Sequence, residues 1–542
     1  MSGTADHRAD YTADYVVVGG GSAGCVLAAR LAEAGAKVLV LEAGGSDRHP
    51  LIRMPAGYVK LLGVETFMWF YKSTVQQRLN GRQPVVPTGR VLGGGSSVNA
   101  MAYIRGQAID YAKWQEATGD AGWGWDALLP RFRALEGNNR LNDAFHGIDG
   151  PFKVSDPRYL TEASRRYVMA AQAAGIPYTT DFNGPRQAGV GYFQHSTFNG
   201  RRWSTVDAFL RPAQQKTGNI EVLTGCLVGG LTMDGLRATG VEFLRNGKTQ
   251  TARAGTEVVL CAGAIATPKI LMLSGIGPER HLSEMGIAPR VVHDGVGRNL
   301  QDHTEVPTLA FFNGKYGYFG QDRGWNQIRN GLQYLLFRSG PVVSTGVEAC
   351  SFFNPDDMDA EASIQQFCVP SVYLEPGTTD MAPTWGLTLN SCVLRPGSKG
   401  SVKLASTDPK DQPLVDPNYF EDPEDLRLSV EGVRQARRIL ASDPLREIIR
   451  TEVFPGAERQ DDAALADHAK RFVKTVYHPV GTVRMGRADD DGAPLGPDLK
   501  VKGVEGLRVA DASMMPNIIS GNTNATVVVV ADKAAELCLD RS

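Results

Sequence analysis

The sequence predicts an α/β protein, α+β overall, built from two interleaved domains, and three observations carry the prediction. The run from Asp14 to Glu42 reads as an apolar strand, a glycine turn, a small-residue helix, a second apolar strand and a terminal acid. Glycine-rich segments suited to holding a ligand occur in three separated places: residues 14 to 105, 221 to 303, and from 475 onward. Between the last two, strand patterns stand beside helix patterns without regular βαβ alternation. That order suits an antiparallel sheet with helices on one face.

The first element is the most specific. Tyr15 to Val18 is strand-like, Ala23 to Ala34 has the composition of a closely packed helix, and Lys37 to Leu41 is the next strand. Between strand and helix stands Gly19-x-Gly21-x-x-Gly24. A chain with 61 glycines in 542 residues produces such a triplet by chance, so the flanking pattern gives it meaning. Gly19 makes the tight turn, Gly21 leaves space for a pyrophosphate, and Gly24 lets the helix approach the sheet. With Ser22, the helix N-terminus offers free N–H groups to phosphates. Glu42, followed by Ala43, ends the second strand where a carboxylate accepts ribose hydroxyls. An acid there disfavours a 2′-phosphate, so FAD or NAD is expected rather than NADP. This is a Rossmann-like dinucleotide-binding unit.

The next element is Gly89 to Tyr103, where Gly93, Gly94, Gly95, Ser96 and Ser97 form a loop whose backbone can press against a flat or charged ligand. Arg90, Val98, Asn99, Ala100 and Met101 bracket it with residues a flexible linker does not need. Further on, Glu257 to Cys261 reads as a strand leading through Ala262 into Gly263 to Gly277. Pro268 is expected near a helix start and Gly275 past its end. Leu387 to Leu394 and Gly400 to Leu404 read as strands separated by a Pro-Gly turn, and Asp422 to Leu440 as a helix. The final helix is expected from near Asn524 to Leu537, with Asn524 its better cap.

The division that follows is a nucleotide-binding domain of residues 1–155, 221–305 and 475–542, and a substrate-binding domain of 156–220 and 306–474. Net charge is -2, which indicates no nucleic-acid partner. Seven scattered cysteines without a C-x-x-C pair suit a reducing compartment and no metal site. The leader from Met1 to Ala13 is polar, and no stretch of about 20 apolar residues suggests a transmembrane helix. Cytoplasmic localisation is therefore expected, with peripheral membrane contact left open.

Together, Gly89 to Tyr103, Gly263 to Gly277, Gly297 to His303 and the C-terminal blocks resemble the glucose-methanol-choline oxidoreductase family of flavoproteins. The resemblance extends over nearly the whole chain and implies FAD as the cofactor. It also implies oxidation of an alcohol to an aldehyde or ketone, with hydride transfer to flavin N5. Carried over by motif, His478 in Val476 to Thr482 and Asn522 in Ser520 to Asn524 flank the reactive edge of the flavin. His478 is then the base, and Asn522 holds the substrate oxygen. Val228 is expected near the adenine, and Ala262 and Gly263 near the diphosphate. Asp511 and Ala512 belong near the ribityl chain or pyrophosphate, with Thr523 beside Asn522. Some relatives attach FAD through a histidine where this chain has Val98, so non-covalent FAD is expected. Asp302 and His303 are expected to hold a loop between domains. The acceptor is a quinone, a dye or O2, tilting toward the first two. A lyase or photodecarboxylase on the same fold is the alternative. The alcohol stays open among neutral primary alcohols, polyols, sugars, aryl alcohols and choline-like cations.

Overall fold

The structure, a computed structural model, describes residues 10–374, 381–382 and 384–540. Most of the polar leader, residues 1–9, lies outside the described residues. The first strand, β1 (Tyr11–Val18), the helix α1 (Ser22–Glu33) and the strand β2 (Val38–Glu42) form the expected βαβ unit. Tyr15 to Val18 and all of β2 are buried, as befits parallel strands covered on both faces. The strand Ile220–Thr224 pairs with β2, and Lys248–Leu260 pairs with β1, both parallel. Lys248–Leu260 is long enough to have two different neighbours on its far side. Its first half pairs antiparallel with Arg237–Arg245, and its last residues pair parallel with Leu507–Val509. One sheet thus draws on three separated stretches of chain, and a single apolar core of valines, alanines and leucines unites them. The helix Asn524–Leu539 packs on α1, tied by Tyr15 Oη donating to Cys538 O at 2.9 Å.

A second sheet is antiparallel throughout, in the order Ile449–Phe454, Thr304–Phe312, Gly386–Val393, Ile364–Val369, Ala349–Phe353, Gly189–Tyr192. Its strands alternate between two buried faces. Ile364 and Cys368 face the helices Glu162–Ala173 and Pro423–Leu440, while Phe367 and Val369 face a separate aromatic cluster with Phe193 and Phe352. Helices on one face leave the other free to wall a site.

Two local expectations, for Pro268 and Asn524, need correction. Pro268 sits inside the helix Gly263–Leu273 rather than at its start. Proline has no N–H for the Ala264 carbonyl four residues back, and Thr482 Oγ1 donates to that oxygen instead, at 2.6 Å. The two expected strands are present, at 386–393 and 400–403, and belong to different sheets. The Asp425 carboxylate captures Gly397 N at 2.8 Å and Ser398 N at 2.9 Å, drawing the chain away between them. Asn524 does not cap the last helix: it is the first helical residue, and its Nδ2 donates to Ser22 Oγ at 2.8 Å.

Candidate active site

A long cavity runs from the carboxyl ends of the parallel strands to the helix-free face of the antiparallel sheet. Glu42, Ala43, Cys226 and Val228 line it at the β2 side, and Gly19, Gly21, Ser22, Gly95, Ala262 and Gly263 line it along the glycine turns. Asn99, Ala100, Met101, Asp511, Ala512 and Thr523 continue the wall to His478 and Asn522, opposite Val347, Phe367, Val369 and Asn390. Gly24, Arg90, Gly93 and Ser96 stand behind it. A Cβ on Gly24 would lie 2.0 Å from Gly19 O, so this glycine serves helix–strand packing. The Arg90 guanidinium lies 4.2 Å from the Trp69 ring centroid. Gly93 N donates to Gly20 O at 2.7 Å, and Ser96 Oγ to Gly93 O at 2.7 Å.

The glycines that line the cavity have a different character. A Cβ on Gly21 would meet nothing nearer than 3.9 Å, and one on Gly95 or Gly263 nothing within 4 Å. Protein packing does not require glycine at these three positions: at Gly263 the left-handed backbone, φ 87°, does, and at Gly21 and Gly95 a ligand lying on the backbone would. α1 and the helix Asn524–Leu539 both begin at the cavity without a side-chain cap and without an acid in the first turn. Their first N–H groups are left for an anionic ligand. Such a cradle fits the diphosphate and isoalloxazine of FAD.

Glu42 is buried, and burial raises its pKa against the pull of its hydrogen bonds. Its Oε2 accepts from Gly20 N at 2.9 Å and its Oε1 from Gly44 N at 2.7 Å. The carboxylate therefore shapes the turn as well as facing the nucleotide site. Glu42→Ala leaves two buried N–H groups unpaired, a cost of about 1–3 kcal/mol each. We expect the variant to lose FAD during gel filtration and to melt at lower temperature, with substrate preference unchanged. Undiminished flavin content would contradict the assignment.

At the far end, four residues fix His478. The Tyr477 backbone is left-handed, with φ 69°, a costly conformation for an aromatic residue that turns the chain directly before the histidine. Asp302 Oδ1 accepts from His478 N at 2.9 Å, and Asp302 Oδ2 accepts from Tyr419 Oη at 2.7 Å. Burial pushes the Asp302 carboxyl up to about 6. The His478 Nδ1 lies 2.9 Å from His303 Nδ1, and its Nε2 lies 3.3 Å from Asn522 Nδ2. His303 Nε2 is 2.9 Å from Leu394 O, an atom that can only accept, so His303 carries its proton there. Burial draws His303 down to about 4 and keeps it neutral, leaving Nδ1 as an acceptor. His478 must then donate from Nδ1, and its Nε2 lone pair accepts from Asn522 Nδ2, both residues lining the cavity. Burial, and secondarily His303, also hold His478 well below the usual 6.5. Asp302 and His303 are thus more than a link between loops: one grips the backbone of His478 and the other selects its tautomer.

Three further residues carry no motif signal. Arg202 is fully buried and spans the glycine loop, donating to Ile52 O at 2.8 Å, Ser96 O at 3.0 Å, Asn99 Oδ1 at 2.7 Å and Asn99 O at 2.7 Å. Burial lowers its pKa to about 9, still high enough to keep the cation at neutrality. Glu305 lines the cavity and is ion-paired with Lys474, directly opposite it where the short strand Lys474–Thr475 pairs with Thr304–Phe312. The Lys474 ammonium also lies 4.6 Å from the Tyr373 ring centroid and 5.5 Å from that of Tyr477, both cavity residues.

The chain matches the N-terminal family model of the GMC oxidoreductases over residues 13–305 and the C-terminal model over 396–531. It is 38% identical over 535 residues to an alcohol dehydrogenase [acceptor] of Pseudomonas putida, covering 97% of this chain and 95% of that protein. It is 37% identical over 530 residues to an oxygen-dependent choline dehydrogenase of Rhizobium johnstonii, covering 98% and 96%. Pyridoxine 4-oxidase from Mesorbium loti superposes with a TM-score of 0.88 at 31% identity, covering 96% of this chain and 98% of the other. These relatives are dehydrogenases and an oxidase, and they lend no support to the lyase or photodecarboxylase alternative. With both halves of the fold and the glycine cradle accounted for, the chain belongs to the GMC oxidoreductase family and is an FAD-dependent oxidoreductase.

Proposed function

We propose that the protein oxidises a neutral alcohol to an aldehyde or ketone, with His478 as the base and Asn522 as the group that orients the substrate oxygen. Bound FAD supplies the hydride acceptor, N5. The tautomer of His478 carries this reading: a neutral imidazole with its Nε2 unprotonated, beside Asn522 in the cavity wall, can take the hydroxyl proton as the carbon gives up its hydride. Asn522 Nδ2, now 3.3 Å from that nitrogen, can donate to the alcohol oxygen, while its Oδ1 is held by Gln365 Nε2 at 3.4 Å. The residue at position 98 is an alkyl side chain in the cavity wall, which supports FAD held without a covalent bond.

The Glu305–Lys474 pair supports the neutral substrate. A carboxylate among tyrosines is what a quaternary ammonium would seek. Here the carboxylate already has an internal cation. A choline head group would have to compete with an ammonium that is always present. The electrons then pass to a quinone, a dye-type acceptor or O2. The test is anaerobic titration of the flavin spectrum with alkanols, benzyl alcohols, glycol ethers and choline, followed by air. Neutral alcohols should bleach the flavin and choline should not. Bleaching by choline alone would overturn the proposal, and the rate of recovery in air separates oxidase from dehydrogenase.

The division into 1–155, 221–305 and 475–542 for FAD and 156–220 and 306–474 for substrate is our proposal for the domains. Its seams fall at Glu305 and Lys474, which are paired with each other within the antiparallel sheet. Seven unpaired, buried cysteines support a cytoplasmic location. Among the described residues no helix is long and apolar enough to cross a membrane.

A further inference from the structure

The helix Gly324–Phe337 is mounted inside out. Its buried side chains are Asn330 and Tyr334, with Asn330 Nδ2 donating to Gln321 O at 2.9 Å. Its solvent side carries Trp325, Ile328, Leu332, Leu335 and Leu336, and Phe337 follows, all between 51 and 73% exposed. The first five, at i, i+3, i+7, i+10 and i+11, form one continuous stripe. Apolar stripes normally face a core, and a soluble monomer rarely exposes so many large apolar groups together. A partner must therefore be apolar.

Charge narrows the choice. From Lys315 to Arg338 the charged residues are Lys315, Arg323, Arg329 and Arg338 against one acid, Asp322, whereas the whole chain carries a net charge of -2. Trp, Phe and Leu on one face with cations at the margins is the composition of a helix lying in a lipid headgroup region. A second copy of this chain would bring Arg323, Arg329 and Arg338, on or directly flanking the helix, against the same three cations. An anionic bilayer meets both the apolar face and the positive rim.

The stripe also borders the site. Lys60 Nζ lies 3.7 Å from Asp322 Oδ2, which places the short helix Tyr58–Leu61 beside the start of Gly324–Phe337. Val59 in that short helix is 51% exposed, while its neighbours Tyr58 and Leu62 line the cavity. We propose that Gly324–Phe337 docks the protein on an anionic phospholipid surface, with the cavity wall at Tyr58 and Leu62 beside the contact.

The test uses the FAD-loaded enzyme and sedimented vesicles of phosphatidylcholine, with or without phosphatidylglycerol. Binding is expected with the anionic vesicles and should weaken with salt. Trp325 is the exposed tryptophan among the described residues, so its emission should shift to the blue on binding. The double variant Leu335→Asp/Leu336→Asp should bind at least about tenfold more weakly while keeping its flavin content and alcohol-dependent bleaching. Trp325→Phe should still sediment but lose the shift. Absence of sedimentation with either vesicle would overturn the proposal. So would a dimer that the double variant converts to monomer, since the stripe would then be a contact between copies.

Discussion

Replacing His478 by alanine should lower the anaerobic rate of flavin reduction by at least about 10² and leave FAD bound. The side chain meets His303 and Asn522, not the glycine cradle, so its loss removes a proton acceptor without removing a cofactor contact. Stopped-flow reduction of holoenzyme by a bleaching alcohol gives the rate, and absorbance against protein gives the flavin content. Reduction at the wild-type rate would remove His478 from the mechanism. The pH profile supplies a second readout. A base works only unprotonated, and the environment holds His478 well below 6.5, so the acid limb of the wild-type rate should fall below pH 6.5. His303→Ala is the sharper control. It keeps His478 but removes the acceptor for the Nδ1 proton, so the ring can place that proton on Nε2, where it blocks base catalysis. Reduction should slow with FAD still bound.

What the sequence made legible is what is local. The strand, turn, helix and acid from Tyr15 to Glu42 lie within a few turns of chain, and the steric reason for each glycine follows from its spacing alone. The second sheet was legible only as a type, because the partners of a strand depend on distant segments. His478 stood out because a motif surrounds it, yet its tautomer depends on His303, 175 residues earlier. Arg202 looks like any other arginine until the glycine loop is seen to bend around it. Pro268 misled because a free N-terminal position and a carbonyl satisfied by Thr482 look identical in sequence. The apolar stripe of 325–337 has the periodicity of a core helix, and only the burial of Asn330 and Tyr334 reveals which way it faces.

Lys474→Met should turn choline into a substrate. The substitution keeps most of the side-chain volume and removes the charge, leaving the buried Glu305 carboxylate uncompensated in the cavity wall. Breaking a buried pair in this way costs about 3–5 kcal/mol, and at 1.36 kcal/mol per tenfold even part of that recovered on binding a cation is worth about 10² in kcat/KM. A trimethylammonium group entering beside Tyr373 and Tyr477 would restore the missing charge and meet aromatic faces. Neutral alcohols gain nothing from the change and should be oxidised less well, since the carboxylate then lacks its partner when they bind. The double variant Lys474→Met/Glu305→Gln separates charge from shape: it should recover thermal stability and lose the response to choline. Anaerobic flavin bleaching by choline across wild type and both variants is the measurement. Failure of the FAD-loaded Lys474→Met protein to respond would mean that Glu305 does not govern the charge of the substrate, and the selectivity would have to be sought among the apolar walls at Val347, Phe367 and Val369.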